Sequence, residues 1–179
     1  QFPAGKYGYS ALTVKANNVV LKCDGEAYLI KMSTSGNGLI VGNQAGRLYG
    51  VEIRGFQLSS SVTGASGKLL SFVNVGQCGI YDITQTASFG VPWIGVRVTN
   101  ASQFIFSNNQ FQDCGSDGLV FEDIVDLYID NNRSDSHVGS GWVFNKVAGV
   151  YGSSNTAYDN GAHGVSGLNT YASPVLTTQ

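Results

Sequence analysis

Gly118-Leu119-Val120-Phe121, in the second half of this chain, recurs in altered form at a constant spacing of 23 residues. The series is Gly95-Val96-Arg97-Val98, Gly118-Leu119-Val120-Phe121, Gly141-Trp142-Val143-Phe144 and Gly164-Val165-Ser166-Gly167. A second series with the same spacing is Phe104-Ile105-Phe106-Ser107-Asn108-Asn109, Leu127-Tyr128-Ile129-Asp130-Asn131-Asn132 and Val150-Tyr151-Gly152-Ser153-Ser154-Asn155. A constant period of 20 to 50 residues is typical of proteins that stack copies of one small unit.

Apolar and polar residues alternate within each repeat. Val96, Val98 and Phe104 are apolar, as are the residues 23 positions after each of them, whereas most residues between them are polar. This alternation indicates short, half-buried β-strands. A unit of this size cannot bury a core alone, but it can when stacked on copies of itself. The sequence therefore predicts an all-β parallel solenoid of about seven coils of 23–26 residues.

Asparagine recurs in the same register at Asn109, Asn132 and Asn155. In a parallel solenoid the same position recurs about 4.8 Å away in the next coil. A buried Asn can then donate its amide to the carbonyl of the next Asn. Asn also tolerates the left-handed backbone conformation, so we expect this column to form a corner of each coil.

Composition and charge exclude several function classes. Only 12% of residues are charged, the formal net charge is −2, and no Lys/Arg cluster is present, which argues against a nucleic-acid partner. No apolar run reaches the roughly 18 residues that span a membrane, so no membrane insertion is expected. The cysteines Cys23, Cys78 and Cys114 are odd in number and widely spaced, which indicates neither a disulfide framework nor a metal site. No metal and no cofactor are expected.

These repeats resemble the right-handed, single-stranded parallel β-helix of the pectate-lyase-like superfamily, and are most similar to bacteriophage tailspike and polysaccharide-depolymerase domains. Residues 2–7 and 51–56 resemble segments of the early coils of such proteins. The resemblance implies a polysaccharide ligand, a homotrimer of parallel subunits and a place in the virion tail after assembly in the host cytoplasm, or else an extracellular place. The Arg-x-Pro-x-x-Arg motif of pectate lyases and the tandem aspartates of polygalacturonases are absent.

A single β-helix domain is expected over 1–179, and we expect it to be a fragment of a longer chain. Residues 1–32 form the first coil in this interpretation. Residues 33–94 form longer coils with loop insertions, 95–167 form the regular coils, and 168–179 form a tail.

The resemblance implies carboxylates as catalytic groups, and the candidates are Glu122, Asp123 and Asp126. Hydrolysis of a glycosidic bond needs two carboxyl groups about 5–5.5 Å or 6.5–9.5 Å apart. The alternative is a solvated corner, because Asp123 shares a column with Lys146. Asp117 and His163 are a second candidate pair, since a histidine beside a carboxylate can act as an acid or base.

Two columns are predicted to be apolar and exposed, namely Ile105/Tyr128/Tyr151 and Val120/Val143, the latter beside Arg97. Contiguous exposed apolar area marks an interaction surface. One interpretation is a sugar platform, with Tyr128, Tyr151, Trp93 and Arg97 as substrate-binding residues. The other is an interface between parallel subunits.

Three functions remain open at this point. The first is a tailspike-like receptor-binding protein that binds a bacterial surface polysaccharide, with or without depolymerising it. The second is a free polysaccharide lyase, hydrolase or epimerase. The third is a structural or adhesive module without catalysis.

Overall fold

The computed structural model describes residues 1–32, 36–42, 45–60, 67–85 and 94–168, which contain β-strands and no helix. In chain order the strands are β1 (Gly5–Tyr9), β2 (Leu12–Val14), β3 (Val20–Lys31), β4 (Leu39–Gly42), β5 (Leu48–Tyr49), β6 (Glu52–Ser60), β7 (Lys68–Gly76), β8 (Gly79–Tyr81), β9 (Thr84–Gln85), β10 (Ile94–Ser107), β11 (Gln110–Gln112), β12 (Leu119–Asp130), β13 (Arg133–Asp135), β14 (Trp142–Tyr151), β15 (Thr156–Tyr158) and β16 (Val165–Leu168).

Neighbouring strands are parallel and belong to successive coils. Strand β12 pairs with β10 on one side and β14 on the other, so that Val96, Leu119 and Trp142 lie in one column. Strand β16 continues this column with Val165. The repeat period in the sequence is therefore the length of one coil, and the predicted all-β parallel β-solenoid is confirmed.

The coils near the amino terminus are longer than expected. One column contains Leu12, Leu39, Leu70, Val96, Leu119, Trp142 and Val165. Its steps along the sequence are longest between the first three members and become constant only from Val96 onward. These seven levels enclose six complete turns, slightly fewer than the seven coils expected. The predicted coil length is too short for the first two steps because the connections between their strands are longer.

The core lies inside the coil and follows the apolar columns. Phe104, Leu127 and Val150 are buried in one column, and Cys78 occupies the same column one coil earlier. Aromatic rings continue from coil to coil: Phe121 stacks on Phe144 with ring centroids 5.7 Å apart. Full burial of each such side chain is worth about 1.5–3 kcal/mol. Stacking supplies the core that a single coil lacks.

Each regular coil bends at four residues with left-handed backbone. In one coil these are Asn100, Gln103, Asn108 and Asp113, with φ between 50° and 57°. Asn and Asp tolerate this region better than other non-glycine residues. The left-handed residue is Asn108 and not Asn109, so the expected corner role of the Asn109 column belongs to the residue before it. Asn109 instead directs its side chain inward.

The predicted asparagine ladder is confirmed. Asn109 Nδ2 donates to Asn132 Oδ1 at 3.1 Å, and Asn132 Nδ2 donates to Asn155 Oδ1 at 2.9 Å. The backbone N–H of Asn109 donates to the same Asn132 oxygen at 2.9 Å, and Asn132 Nδ2 also donates to the Phe106 carbonyl at 2.8 Å. The ladder thus satisfies polar backbone groups that are closed off from water.

A second ladder explains the glycine that begins two of the repeats. Cys114, His137 and Asn160 occupy one column, in which the Cys114 N–H donates to His137 Nδ1 at 3.0 Å and the His137 N–H donates to Asn160 Oδ1 at 3.1 Å. The His137 ring lies against Gly118, where a Cβ atom would clash with it. At Gly141 a Cβ would lie 2.7 Å from Asn160 Nδ2. At Gly118 and Gly141, a ladder side chain therefore occupies the space that a Cβ atom would need.

The strands of each coil form three outward faces, which in β10 and β11 correspond to residues 94–99, 101–107 and 110–112. We call the columns of side chains that extend from them the first, second and third faces. The candidate site residues are distributed over these faces.

Candidate functional site

Two of the three predicted catalytic carboxylates are held by basic side chains. Glu122, on the first face, forms an ion pair with Arg97 and accepts a hydrogen bond from Asn145 Nδ2 at 3.2 Å. The Arg97 hydrogen bond lowers the pKa of Glu122. Asp123 occupies the left-handed corner after Glu122 and lies 3.7 Å from Lys146 Nζ, the partner predicted from their shared column.

Asp126 lies at the next corner, on the second face, and its surroundings differ. A Cβ atom on Gly149 would be 3.0 Å from the Tyr151 ring and 3.1 Å from Asp126 Oδ1. The aromatic ring and the carboxylate therefore flank the same glycine. Of the predicted carboxylates, Asp126 is the one that lies beside the tyrosines.

The exposed column of the second face is confirmed. Ile105, Tyr128 and Tyr151 lie in register and are 38%, 42% and 49% exposed. The two tyrosine rings are stacked, with centroids 5.2 Å apart and an interplanar angle of 24°. Stacking restrains both rings, so a ligand that contacts them loses less side-chain entropy from the protein than it would with free rings.

A groove of about 270 Å³ borders this column on the amino-terminal side. Its lining residues are Glu52, Gln77, Tyr81, Gln103, Ile105 and Tyr128. The two carboxamides are joined from coil to coil, with Gln77 Nε2 donating to Gln103 Oε1 at 3.1 Å. Gln77, Gln103 and Tyr81 are not among the residues predicted from the sequence, although they occupy columns adjacent to that of Tyr128.

One wall of the groove is formed by Glu52 and Tyr81, and both side chains contact Arg54. The Arg54 guanidinium lies 4.0 Å from the centroid of the Tyr81 ring, and Arg54 Nε donates to Glu52 Oε2 at 2.7 Å. The cation–π contact and the ion pair together fix the positions of all three side chains.

The second apolar column differs from the prediction. Val120 is buried, with 9% of its surface exposed, and Val143 is half-buried. Val120 lies between Arg97 and Val143 in its column, and these neighbours limit its contact with solvent. The prediction of an exposed column there is wrong for Val120. Arg97 lies on this first face, away from the tyrosines, and Trp93 lies outside the described residues.

Asp117 and His163 occupy the connection between the third and first faces. Asp117 Oδ1 accepts a hydrogen bond from the backbone N–H of Ser140 at 2.8 Å, which joins two turns. His163 is exposed. The backbone contact gives Asp117 a structural role, while a catalytic role for this pair stays a prediction.

His137 is buried in the second ladder. Ser134 Oγ donates to the Gly141 carbonyl at 2.8 Å, and it lies 3.0 Å from His137 Nε2. Nε2 therefore carries the proton, whereas Nδ1 accepts from the Cys114 N–H. Burial lowers the pKa of His137 to about 4. Ser134 is also fully buried, so this pair is closed to a substrate.

The three cysteines are buried thiols that take part in no disulfide, and burial raises the pKa of Cys114 to about 12. Among the described residues, no group of three or more His, Cys, Asp or Glu side chains is arranged to hold a metal ion. In the same part of the chain, no helix has the length and hydropathy needed to cross a membrane.

The repeated coils of this chain match a known protein family. A family profile described as the right-handed β-helix region matches residues 10–176. The chain belongs to this family. A search of curated proteins finds no match.

Three solved structures illustrate the likeness. The catalytic domain of a GH87 α-1,3-glucanase in complex with nigerose has a TM-score of 0.67 and 17% identity, covering 97% of this chain and 35% of that chain. A full-length tailspike protein 2 of an Escherichia coli bacteriophage has a TM-score of 0.46 and 14% identity, covering 80% and 22%. The A-module of an Azotobacter vinelandii mannuronan C-5 epimerase has a TM-score of 0.46 and 16% identity, covering 91% and 63%. This chain therefore spans less than two thirds of each of these proteins.

Proposed function

We propose that this chain binds a polysaccharide along its second face. The observation that carries the proposal is the stacked pair Tyr128–Tyr151 beside a groove of carboxamide and carboxylate side chains. Aromatic rings contact the apolar C–H surfaces of sugars. Carboxamides donate hydrogen bonds to sugar hydroxyls or accept them, and carboxylates accept them. Specific sites combine apolar contact with a few such polar groups.

The dimensions of the second face favour an extended ligand. The groove of about 270 Å³ is slightly smaller than the usual range for small-molecule sites, so it holds only part of a ligand. The tyrosine column continues beyond it to Tyr151 in the next coil. A chain of sugars that lies along the solenoid can contact both. The glucanase with this fold is in complex with nigerose, which supports a sugar ligand for this chain.

Binding can be tested with Tyr151→Ala and Tyr128→Ala against a panel of immobilised polysaccharides. The matched control is Tyr158→Ala, which removes a tyrosine of similar exposure from the third face. Loss of an aromatic contact predicts about threefold to tenfold weaker binding for the first two variants. Equal binding by all three variants, or no binding by the unmodified chain to any polysaccharide, refutes the proposal.

A finer proposal concerns assembly. We propose a tailspike-type receptor-binding protein that forms a parallel homotrimer and is located in the virion tail, with an extracellular place as the alternative. An exposed apolar side chain away from the second face supports it, because Val138 is 70% exposed and a neighbouring subunit would cover it. Light scattering coupled to size-exclusion chromatography tests it. A monomer at all concentrations contradicts the trimer.

Cleavage is a separate question from binding, and Asp126 is the best-placed of the predicted acids. It lies beside Tyr151, whereas Arg97 holds Glu122 on the first face. If incubation with a polysaccharide releases reducing ends, we expect Asp126→Asn to lower the rate and Glu122→Gln to retain it. If Glu122→Gln lowers the rate and Asp126→Asn retains it, cleavage takes place on the first face instead.

A further inference from the structure

We propose that the second face selects for polysaccharides that are uncharged or carry free amino groups, and that it rejects those with carboxylate, phosphate or sulfate groups. This inference rests on the proposed function and names the ligand class of the same site. It follows from the distribution of charge along the face.

In four successive coils, the residues of the second face contribute negative charge and no positive charge. The residues concerned are 75–82, 101–107, 124–130 and 147–151, which form four stacked levels. They contain Asp82, Asp126 and Asp130 and no Lys or Arg. Asp126 flanks the glycine under Tyr151, and Asp130 is in the strand of Tyr128. The charged side chains that these four levels contribute are therefore carboxylates. Two guanidinium groups from the preceding coil border them at the amino-terminal end: Arg47 Nη1 donates to Ser102 Oγ at 3.2 Å, and Arg54 lies over the Tyr81 ring.

Within the described part of the chain, none of these three carboxylates forms an ion pair. The pairs there join Arg54 with Glu52, Arg97 with Glu122, Arg133 with Asp135 and Lys146 with Asp123. Arg54 also attracts Asp82, but only at longer range, because its hydrogen bond goes to Glu52. Asp130 Oδ1 accepts hydrogen bonds from the Ser153 N–H at 3.1 Å and hydroxyl at 2.7 Å, which fix this carboxylate in place.

This arrangement distinguishes ligands by charge. Two like charges repel, and they repel several times more strongly at a protein surface than in bulk water because the effective dielectric constant is lower there. An acidic polysaccharide repeats its charge along the chain, so it meets several of these carboxylates at once. Neutral hydroxyls instead donate hydrogen bonds to them, and an ammonium group forms an ion pair with them. The same three residues thus attract one class and exclude the other.

The first test is a binding panel for the whole chain. The probes are neutral glucans and mannans, partly deacetylated chitin oligomers, polygalacturonate, alginate and a polyol-phosphate polymer, at about 20 mM and about 200 mM salt. We expect binding only among the neutral and amino-bearing probes, with salt weakening the latter. If the unmodified chain binds an acidic probe and Tyr151→Ala abolishes that binding, this inference is overturned and the proposed function stands. Binding of no probe overturns both.

The second test relieves the repulsion directly. Asp126→Asn combined with Asp130→Asn removes two carboxylates and is expected to strengthen binding of the acidic probes by roughly fivefold or more. Asp113→Asn is the control, because it makes the same change at a left-handed corner that adjoins the third face. An unchanged affinity for acidic probes in the double variant, or an equal gain in the control, overturns the inference.

Discussion

The buried histidine of the second ladder gives the fold a defined sensitivity to acid. His137 is 2% exposed and accepts a hydrogen bond at Nδ1 from the Cys114 N–H, so protonation of Nδ1 removes that bond. Burial lowers its pKa to about 4, although Asp135 and Asp117 act in the opposite direction. Its reference pKa is 6.5. The neutral ring is therefore the form that the folded state requires.

The magnitude follows from proton linkage. Above pH 6.5 the histidine is neutral in both states and its contribution to stability is complete. As the pH falls from 6.5 towards 4, the unfolded chain takes up a proton that the folded chain excludes, so the free energy of unfolding decreases by about 1.4 kcal/mol per pH unit. The total loss is about 3 kcal/mol when pH 4 is reached.

Urea denaturation between about pH 7.5 and about pH 4.5 measures this slope, in a window above the ordinary pKa of most carboxylates. His137→Asn places an amide like that of Asn160 in the ladder and is expected to flatten the slope while lowering stability at neutral pH. His163→Asn is the matched control, since that side chain is exposed, and we expect the original slope. Equal slopes in His137→Asn and the unmodified chain refute the reasoning.

Three further predictions concern the fold itself. Gly118→Ala is expected to lower the free energy of unfolding by about 1–3 kcal/mol, because the added Cβ meets the His137 ring. Gly164→Ala is expected to be tolerated, because the nearest atom to its Cβ would be 3.4 Å away. Equal Tm values for the two variants contradict this prediction. Asn132→Ala leaves buried backbone groups without partners and is expected to lower the free energy of unfolding by about 3 kcal/mol. For the exposed change Asn131→Asp we expect a loss of less than about 1 kcal/mol. Chemical denaturation measures both values. A thiol reagent is expected to leave Cys114 unlabelled in the folded chain and to label it after unfolding, and rapid labelling of the native protein contradicts its burial.

The regular coils could be predicted because their connections have constant length. Once Gly118 and Gly141 are aligned, every column from Val96 to Asn109 falls into register. The early coils lack this constancy: the step from Leu39 to Leu70 is longer than any step in the regular coils, so repetition alone did not reveal its length. The left-handed corner was predicted at Asn109, one residue after its actual position at Asn108, because Asn is favourable both at that corner and in the ladder.

The site was predicted only in part, for a related reason. Alignment by column found the Asp123–Lys146 contact and the tyrosine pair. It did not find the ion pair of Arg97 with Glu122, because these residues lie in different columns and meet diagonally. Exposure was also difficult to predict, since it depends on neighbours in the coils before and after.

The ladders also have a direction. Asn109 donates its backbone and side-chain N–H groups to an oxygen of the following coil, and Asn132 repeats the pattern towards Asn155. A ribosome delivers the chain in the same order, so each bend acquires its acceptor only when about 23 more residues have emerged. Folding of the solenoid therefore lags synthesis by one coil. In a nascent chain that is halted part-way, the N–H groups of the last ladder asparagine still donate to water.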